Sequence, residues 1–274
     1  MSGYFGAGTR APESELEIIM SDMPSCQFES RPRRIMMGSS GLQTDFCATC
    51  TVRPNSVCNV IDEGDISRLA EAAVETIIPP GRGFIEEGAP ATDFFNVTAG
   101  TVKLFKALPD GRRQITGFAA PGHFLGLAVS DSYAFGAEAI DTVRVCRFSR
   151  EKMTELLDDF PKLERRLLEE ASNELVAAQN QMLLLGRKTA RERVASFLLD
   201  QMRIGQPPAG NGGPCRLNLP MTRGDIADYL GLTIETVSRT LSWMRSQGMI
   251  EVGKGYAITL LSVSRLDVLA SGNG

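Results

Sequence analysis

The 274-residue chain has no uninterrupted apolar run near the roughly 20 residues that cross a bilayer. Its N-terminus also lacks a basic region leading into an apolar stretch with a small-residue cleavage site, so a cytoplasmic protein without membrane contact is expected. Internal repeats, a nucleotide-binding glycine fingerprint and a base beside a reactive thiol are all missing, which argues against a redox enzyme, and no catalytic residue is proposed. Histidine is nearly absent: His123, in Pro121-Gly-His, reads as a turn residue, and as a haem ligand it would have no second ligand. Excess positive charge is missing too, because 29 Lys and Arg stand against 33 Asp and Glu. That does not exclude a nucleic-acid partner, since binding depends on where the charges sit. Residues 187–255 hold ten Lys and Arg against six Asp and Glu, and the basic balance is confined to them.

What is present is enough for two compact domains: ordinary hydrophobic content, 43%, over a length that can bury a real core. Six cysteines in a reducing compartment point to metal binding or redox sensing before disulfides. Residues 1–45 are rich in Ser, Gly, Pro and charge without periodicity and read as a flexible arm. Residues 46–60 carry three of the cysteines, and the apolar spacing of Ile66, Leu69, Ala70 and Ala73 predicts one helix over 62–75. Short β-branched and aromatic runs between glycine-bearing turns over 76–148, with Asp110-Gly111 as the sharpest hairpin signal, predict an all-β roll within a sensory domain at 61–158.

After Ser149 the period becomes helical, and Pro161 opens a long helix reaching about residue 188 within a segment 159–188. Leu168, Leu175 and Met182 recur every seven residues with Ala171, Ala178 and Leu185 between them, the pattern of a coiled-coil seam that would pair two copies of the chain. The alanines bury little area, so the pairing should be weak and easily regulated.

Residues 189–274 form the last unit. Thr222 with Asp225 resembles a capping box, Gly231 suits a turn of positive φ, and Thr233 can cap a second helix, which together describe a helix-turn-helix. In that second helix Val237, Leu241 and Met244 line one face while Glu235, Ser238 and Arg239 share the opposite one. Arg bonds guanine bidentately, Glu accepts from cytosine and Ser serves a base or a phosphate, so the trio suits base edges in a major groove. The bland alternative is a solvated face tied by a Glu235–Arg239 pair. Residues 249–260, with Lys254 near the tip, read as the hairpin of a winged helix; Thr222, Arg223, Thr233 and Lys254 are further candidate DNA contacts.

Cys47-Ala-Thr-Cys50 followed by Cys58 places three thiols within twelve residues. Such a loop can wrap an iron-sulfur core, giving one sulfur to each iron, and it also suits a structural zinc. The fourth ligand comes from elsewhere, among Cys26, Cys146 and Cys215.

The run Met221-Thr-Arg-Gly-Asp-Ile-Ala-Asp-Tyr-Leu-Gly-Leu-Thr-Ile-Glu-Thr-Val-Ser-Arg resembles the DNA-reading signature of the CRP/FNR superfamily, and the likeness extends from about Phe46 to the end. With the cysteine triplet and the isolated cysteine of Val143-Arg-Val-Cys146 it resembles the oxygen-responsive FNR branch. The resemblance implies an α+β chain: a cyclic-nucleotide-binding-like β-roll or jelly roll, a long dimerisation helix and a C-terminal winged helix-turn-helix. It further implies a 4Fe-4S cluster on Cys47, Cys50, Cys58 and Cys146, with Cys26 and Cys215 as ordinary cysteines. Glu235, Ser238 and Arg239 become base contacts in a homodimer on a palindrome of the TTGAT-N4-ATCAA kind, with RNA polymerase as partner. The seven-residue gap between Cys50 and Cys58 is longer than in enterobacterial members and is similar to an alphaproteobacterial variant. Cyclic nucleotide is not expected, because the loop over 126–139 offers no Arg for a buried phosphate. The remaining alternative is a regulator of the same family with a zinc or thiol-based redox site.

Overall fold

The computed structural model describes residues 45–127, 131–205, 214–253, 255 and 257–272. The arm, bar its last residue, and Lys254 lie outside the described residues.

A short helix α1 (Asp45–Ala48) is followed by two 3-10 turns, Arg53–Asn55 and Val57–Val60, and by helix α2 (Ile66–Ala72). The single helix expected over 62–75 is therefore corrected: the chain turns extended at Ala73 and enters β1 (Ala73–Ile78). Its β-branched residues Val74, Thr76, Ile77 and Ile78 favour a strand, and a ladder to β8 (Val143–Ser149) from Ala73↔Phe148 to Ile78↔Val143 outweighs local helical spacing.

Between them run β2 (Gly83–Ile85), β3 (Asp93–Ala99), β4 (Val102–Ala107), β5 (Arg113–Ala119), β6 (Phe124–Leu125) and β7 (Gly136–Ala139). They form two antiparallel sheets, ordered β1-β8-β3-β6 and β2-β7-β4-β5. Gly111 takes φ 84° in the β4–β5 hairpin, as Asp110-Gly111 predicted. Both sheets contribute to the apolar interior, with Phe95, Val97, Val102, Ala137, Val143 and Val145 buried there. Strand alternation then sends Asn96 on β3 and Cys146 and Phe148 on β8 to the opposite face of their sheet.

That outer face carries a second core, in which Cys47, Val57, Cys58, Ile61 and Leu69 pack with Cys146 and Phe148. Helix α3 (Arg150–Asp159), capped by Ser149, adds Met153 and Leu156, and α4 (Pro161–Arg187) adds Leu163 and Leu167 from its first two turns. The cysteine segment and the base of the long helix thus share one apolar cluster.

The C-terminal unit comprises α5 (Ala190–Gly205), β9 (Cys215–Asn218), α6 (Arg223–Leu230), α7 (Ile234–Ser246), β10 (Ile250–Val252), β11 (Ala257–Leu260) and α8 (Val263–Ala270). The expected wing hairpin is β10–β11, but β9 joins it as a third strand in the order β10-β11-β9, and α8 packs on α5. Cys215 is buried in β9, within the core of the C-terminal unit.

Candidate metal centre and DNA-reading surface

The local chain explains how three thiols are presented. Cys50 donates its backbone N–H to the Cys47 carbonyl, which folds the Cys47-Ala-Thr-Cys50 stretch into one turn. Pro54 sits in the first turn of the following 3-10 segment, where its missing N–H costs nothing. The fully buried Ser56 then closes the loop: its hydroxyl donates to the Arg53 carbonyl and accepts the N–H of Cys58 at 3.3 Å. Cys146 arrives from the middle of β8, almost ninety residues later in the chain. All four thiols line one cavity with Arg53, Asn96 and Phe148.

Three of the four are buried, Cys50 being half-buried. Burial, reinforced by Cys58 and Cys50, pushes the Cys47 thiol up to about 12. Burial likewise pushes Cys58 up to about 11, against the Ser56 hydroxyl and the Arg53 guanidinium. Cys146 is raised by burial and then by Cys47, Cys58 and Cys50, a mark of how closely the four are grouped. Cys47, Cys58 and Cys146 are therefore held as thiols rather than thiolates at neutral pH, and a cationic inorganic centre is what would make thiolates stable there. The donor set fits such a centre: soft sulfur, a loop that holds three donors, and one nearby cation, Arg53, anchored to the Ile61 carbonyl at 2.7 Å. Among the described residues no three Cys, His, Asp or Glu side chains stand so as to hold a single metal ion.

A linkage effect follows for the metal-free protein. A thiol whose folded pKa exceeds its unfolded value of about 8.5 stabilises the fold fully below that pH and loses the contribution as pH climbs toward the folded value. The melting temperature is expected to fall between about pH 9 and about pH 11, and Cys58→Ser to flatten that fall. A slope unchanged by the substitution would show that Cys58 is not held protonated.

On the C-terminal unit the capping box forms as expected: Thr222 Oγ1 accepts the Asp225 N–H at 3.0 Å, and Asp225 accepts the Thr222 N–H at 2.9 Å. Gly231 takes φ 60° and ends α6, while Thr233 caps α7 through the Thr236 N–H. Val237, Leu241 and Met244 are buried, so Glu235, Ser238 and Arg239 are held outward and exposed. Glu235 sits below the usual carboxylate range because its own backbone N–H and Thr233 bond to it, with Arg239 adding attraction. It is an ionised acceptor at neutral pH. Ser242 and Arg245 are also exposed and extend the stripe by two turns; the same helical spacing, carried past Arg239, would have found them. Thr222 and Thr233 are exposed with their hydroxyls engaged in caps, and Arg223 is half-buried at the start of α6.

On α4, Leu168, Ala171, Leu175, Ala178 and Met182 are exposed, and Val176 and Leu183 lie exposed beside them. Leu185 differs: it is half-buried against the Gly231 turn and the C-terminal core. The β-roll also touches the helix-turn-helix. Lys103 on β4 bonds Asp225 at 3.1 Å and Glu138 at 2.8 Å, Gln114 donates to the Asp228 and Tyr229 carbonyls, and Phe118 packs with Phe197 and Tyr229.

Comparison with known proteins agrees with this architecture. The Crp-like helix-turn-helix domain matches residues 192–269, and the cyclic nucleotide-binding domain matches residues 75–160. A β-roll joined by a long helix to a helix-turn-helix defines a DNA-binding transcription regulator, and the chain belongs to the CRP/FNR family. The chain is 40% identical over 241 residues to the nitrogen fixation regulation protein FixK of Bradyrhizobium diazoefficiens, covering 88% of this chain and 99% of that one. It is 35% identical over 215 residues to the transcriptional activator protein FnrL of Cereibacter sphaeroides, covering 77% and 87%. The solved structure of FixK2 from Bradyrhizobium japonicum, at 40% identity, superposes with a TM-score of 0.66 over 72% of this chain and 96% of that one. Within the family the chain is a transcription regulator of the FNR/FixK group.

Proposed function

We propose that the chain is a cytoplasmic anaerobic regulator in which Cys47, Cys50, Cys58 and Cys146 hold a 4Fe-4S cluster, and that the loaded form dimerises and binds palindromic DNA. The observation that carries the reading is the convergence of four cysteines, from one loop and one distant strand, on a single cavity. When bound, the cluster supplies sensitivity to oxidation by dioxygen. The residues of the chain do the rest. The thiolates bind; Ser56 fixes the loop; Arg53 offsets negative charge; and the apolar cluster around Cys47 and Cys58 excludes water and contacts Leu163 and Leu167 at the base of α4. Tension or slack in the cysteine segment is thereby felt by the helix whose exposed seam would pair two subunits.

A zinc ion is the second candidate. It requires four sulfurs about 2.3 Å from one point, whereas a cluster takes one sulfur at each iron and tolerates wider separation. Cyclic nucleotide remains an unfavoured ligand: the roll interior is filled by apolar side chains, and Tyr133 spends its hydroxyl on the Asp93 backbone. RNA polymerase would be met by the DNA-bound dimer.

The test is an anaerobic visible spectrum with iron and zinc analysis, followed by a gel shift before and after air. Brown protein with about four irons per chain, and a shift that air removes, is the expected result. Colourless or zinc-bound protein that shifts DNA equally in air would refute it. A separate expectation concerns the reading helix: Arg239→Ala should weaken operator binding by about 1–3 kcal/mol and relax preference at one guanine, as read by competition among single-base operator variants. Equal weakening on every variant would place Arg239 on phosphate instead.

A further inference from the structure

Asn96 stands on β3 directly across from Cys146 in the β3–β8 register, and strand alternation turns both side chains onto the face that carries the thiols. The residue is only 2% exposed. Its Nδ2 is 4.0 Å from the Cys58 sulfur, while Oδ1 is the one buried side-chain polar atom without a partner among the described residues.

A buried amide left half-satisfied destabilises a fold, and an apolar side chain of similar shape would avoid that penalty. Phe94 flanks it on the same face of β3, and Leu69 and Phe148 line the cavity with it, so this apolar packing does not ask for an amide. The opposite rotation of the amide would aim an oxygen lone pair at the sulfur, which a thiolate would repel; the N–H toward sulfur is the attractive arrangement.

We propose that Asn96 is a positioning residue for the sulfur site, whose side-chain N–H donates to Cys58 and sets how readily the bound cluster gives up an electron. The inference rests on the cluster reading above. Donation to a ligand sulfur stabilises the electron-rich state, so it raises the reduction potential and slows the surrender of an electron to dioxygen; no bond to Asn96 is made or broken.

The full-length chain and its Asn96→Leu and Asn96→Ala variants, reconstituted anaerobically with ferrous iron and sulfide, are compared by three readouts: midpoint potential, decay of visible absorbance in air-saturated buffer, and melting temperature of the iron-free protein. Both variants should show a lower potential and several-fold faster decay. Iron-free Asn96→Leu should melt above the wild type, since it removes the unpaired oxygen, and Asn96→Ala below it, since it leaves a void. Opposite melting shifts with potential shifts of one sign separate tuning of sulfur from mere packing. Asn96→Ala, which adds no volume, decides the matter if leucine overfills the site. Unchanged potential and decay in a loaded Asn96→Ala protein overturn the role of Asn96 alone. A wild-type chain that takes up no iron overturns this role and the cluster reading together.

Discussion

Serine in place of Cys50 is expected to give a folded, colourless protein that no longer shifts a palindromic operator fragment in anoxic buffer. Cys50 is the best position for this test because it is the least buried of the four thiols. An oxygen for a sulfur there disturbs the second core least, whereas Cys58 and Cys146 are packed among Val57, Phe148 and Leu69. Serine is a poor ligand for iron at neutral pH, so one quarter of the donor set is lost and the remaining loop no longer closes on Cys146. Affinity for operator should fall at least about tenfold, equivalent to about 1.4 kcal/mol, with iron content near zero and the melting temperature of the iron-free protein unchanged. Retained DNA binding in the iron-free variant would break the link between centre and reader.

The second large effect is expected from Leu175→Glu with Met182→Glu on α4. Both side chains are more than half exposed in the single chain, 59% and 65%, and they lie on the heptad stripe with Leu168. Two copies meeting along that stripe would face each glutamate with its own mate, and desolvating like charges costs several kcal/mol. The dimer should dissociate at concentrations where the wild type is paired, seen as a halved mass in anaerobic sedimentation. Operator binding should collapse with it, because a monomer grips one half-site only. The colour of the anaerobic protein should survive, since the thiols lie at the other end of the helix. A variant that still sediments as a dimer would move the interface off this stripe.

These two results probe features that differ in how plainly the chain announces them. The helix-turn-helix was legible because its cues are local: a cap at Thr222, a positive φ at Gly231 and an amphipathic spacing from Val237 to Met244 all act within a few residues. Three of the four thiols were legible for the same reason. The strand at residues 73–78 was not, since its pairing with residues 143–148 is non-local and overrides helical spacing. Nor were β9 and α8, whose short segments acquire regular structure only against the wing and α5. Asn96 was invisible for a further reason. In Phe94-Phe-Asn-Val it is one polar residue within a strand run, and only the register with Cys146 reveals what it faces.

The carboxylate of Asp225 serves two masters. It completes the cap that starts the first helix of the reading head, and the same group receives Lys103 from β4 of the roll. Swinging the head away from the barrel would strip that carboxylate of its ammonium neighbour just where the helix begins. Lys103 meets one oxygen of that carboxylate and Thr222 the other, so losing the lysine would change the charge beside the start of α6 while leaving the capping bonds in place.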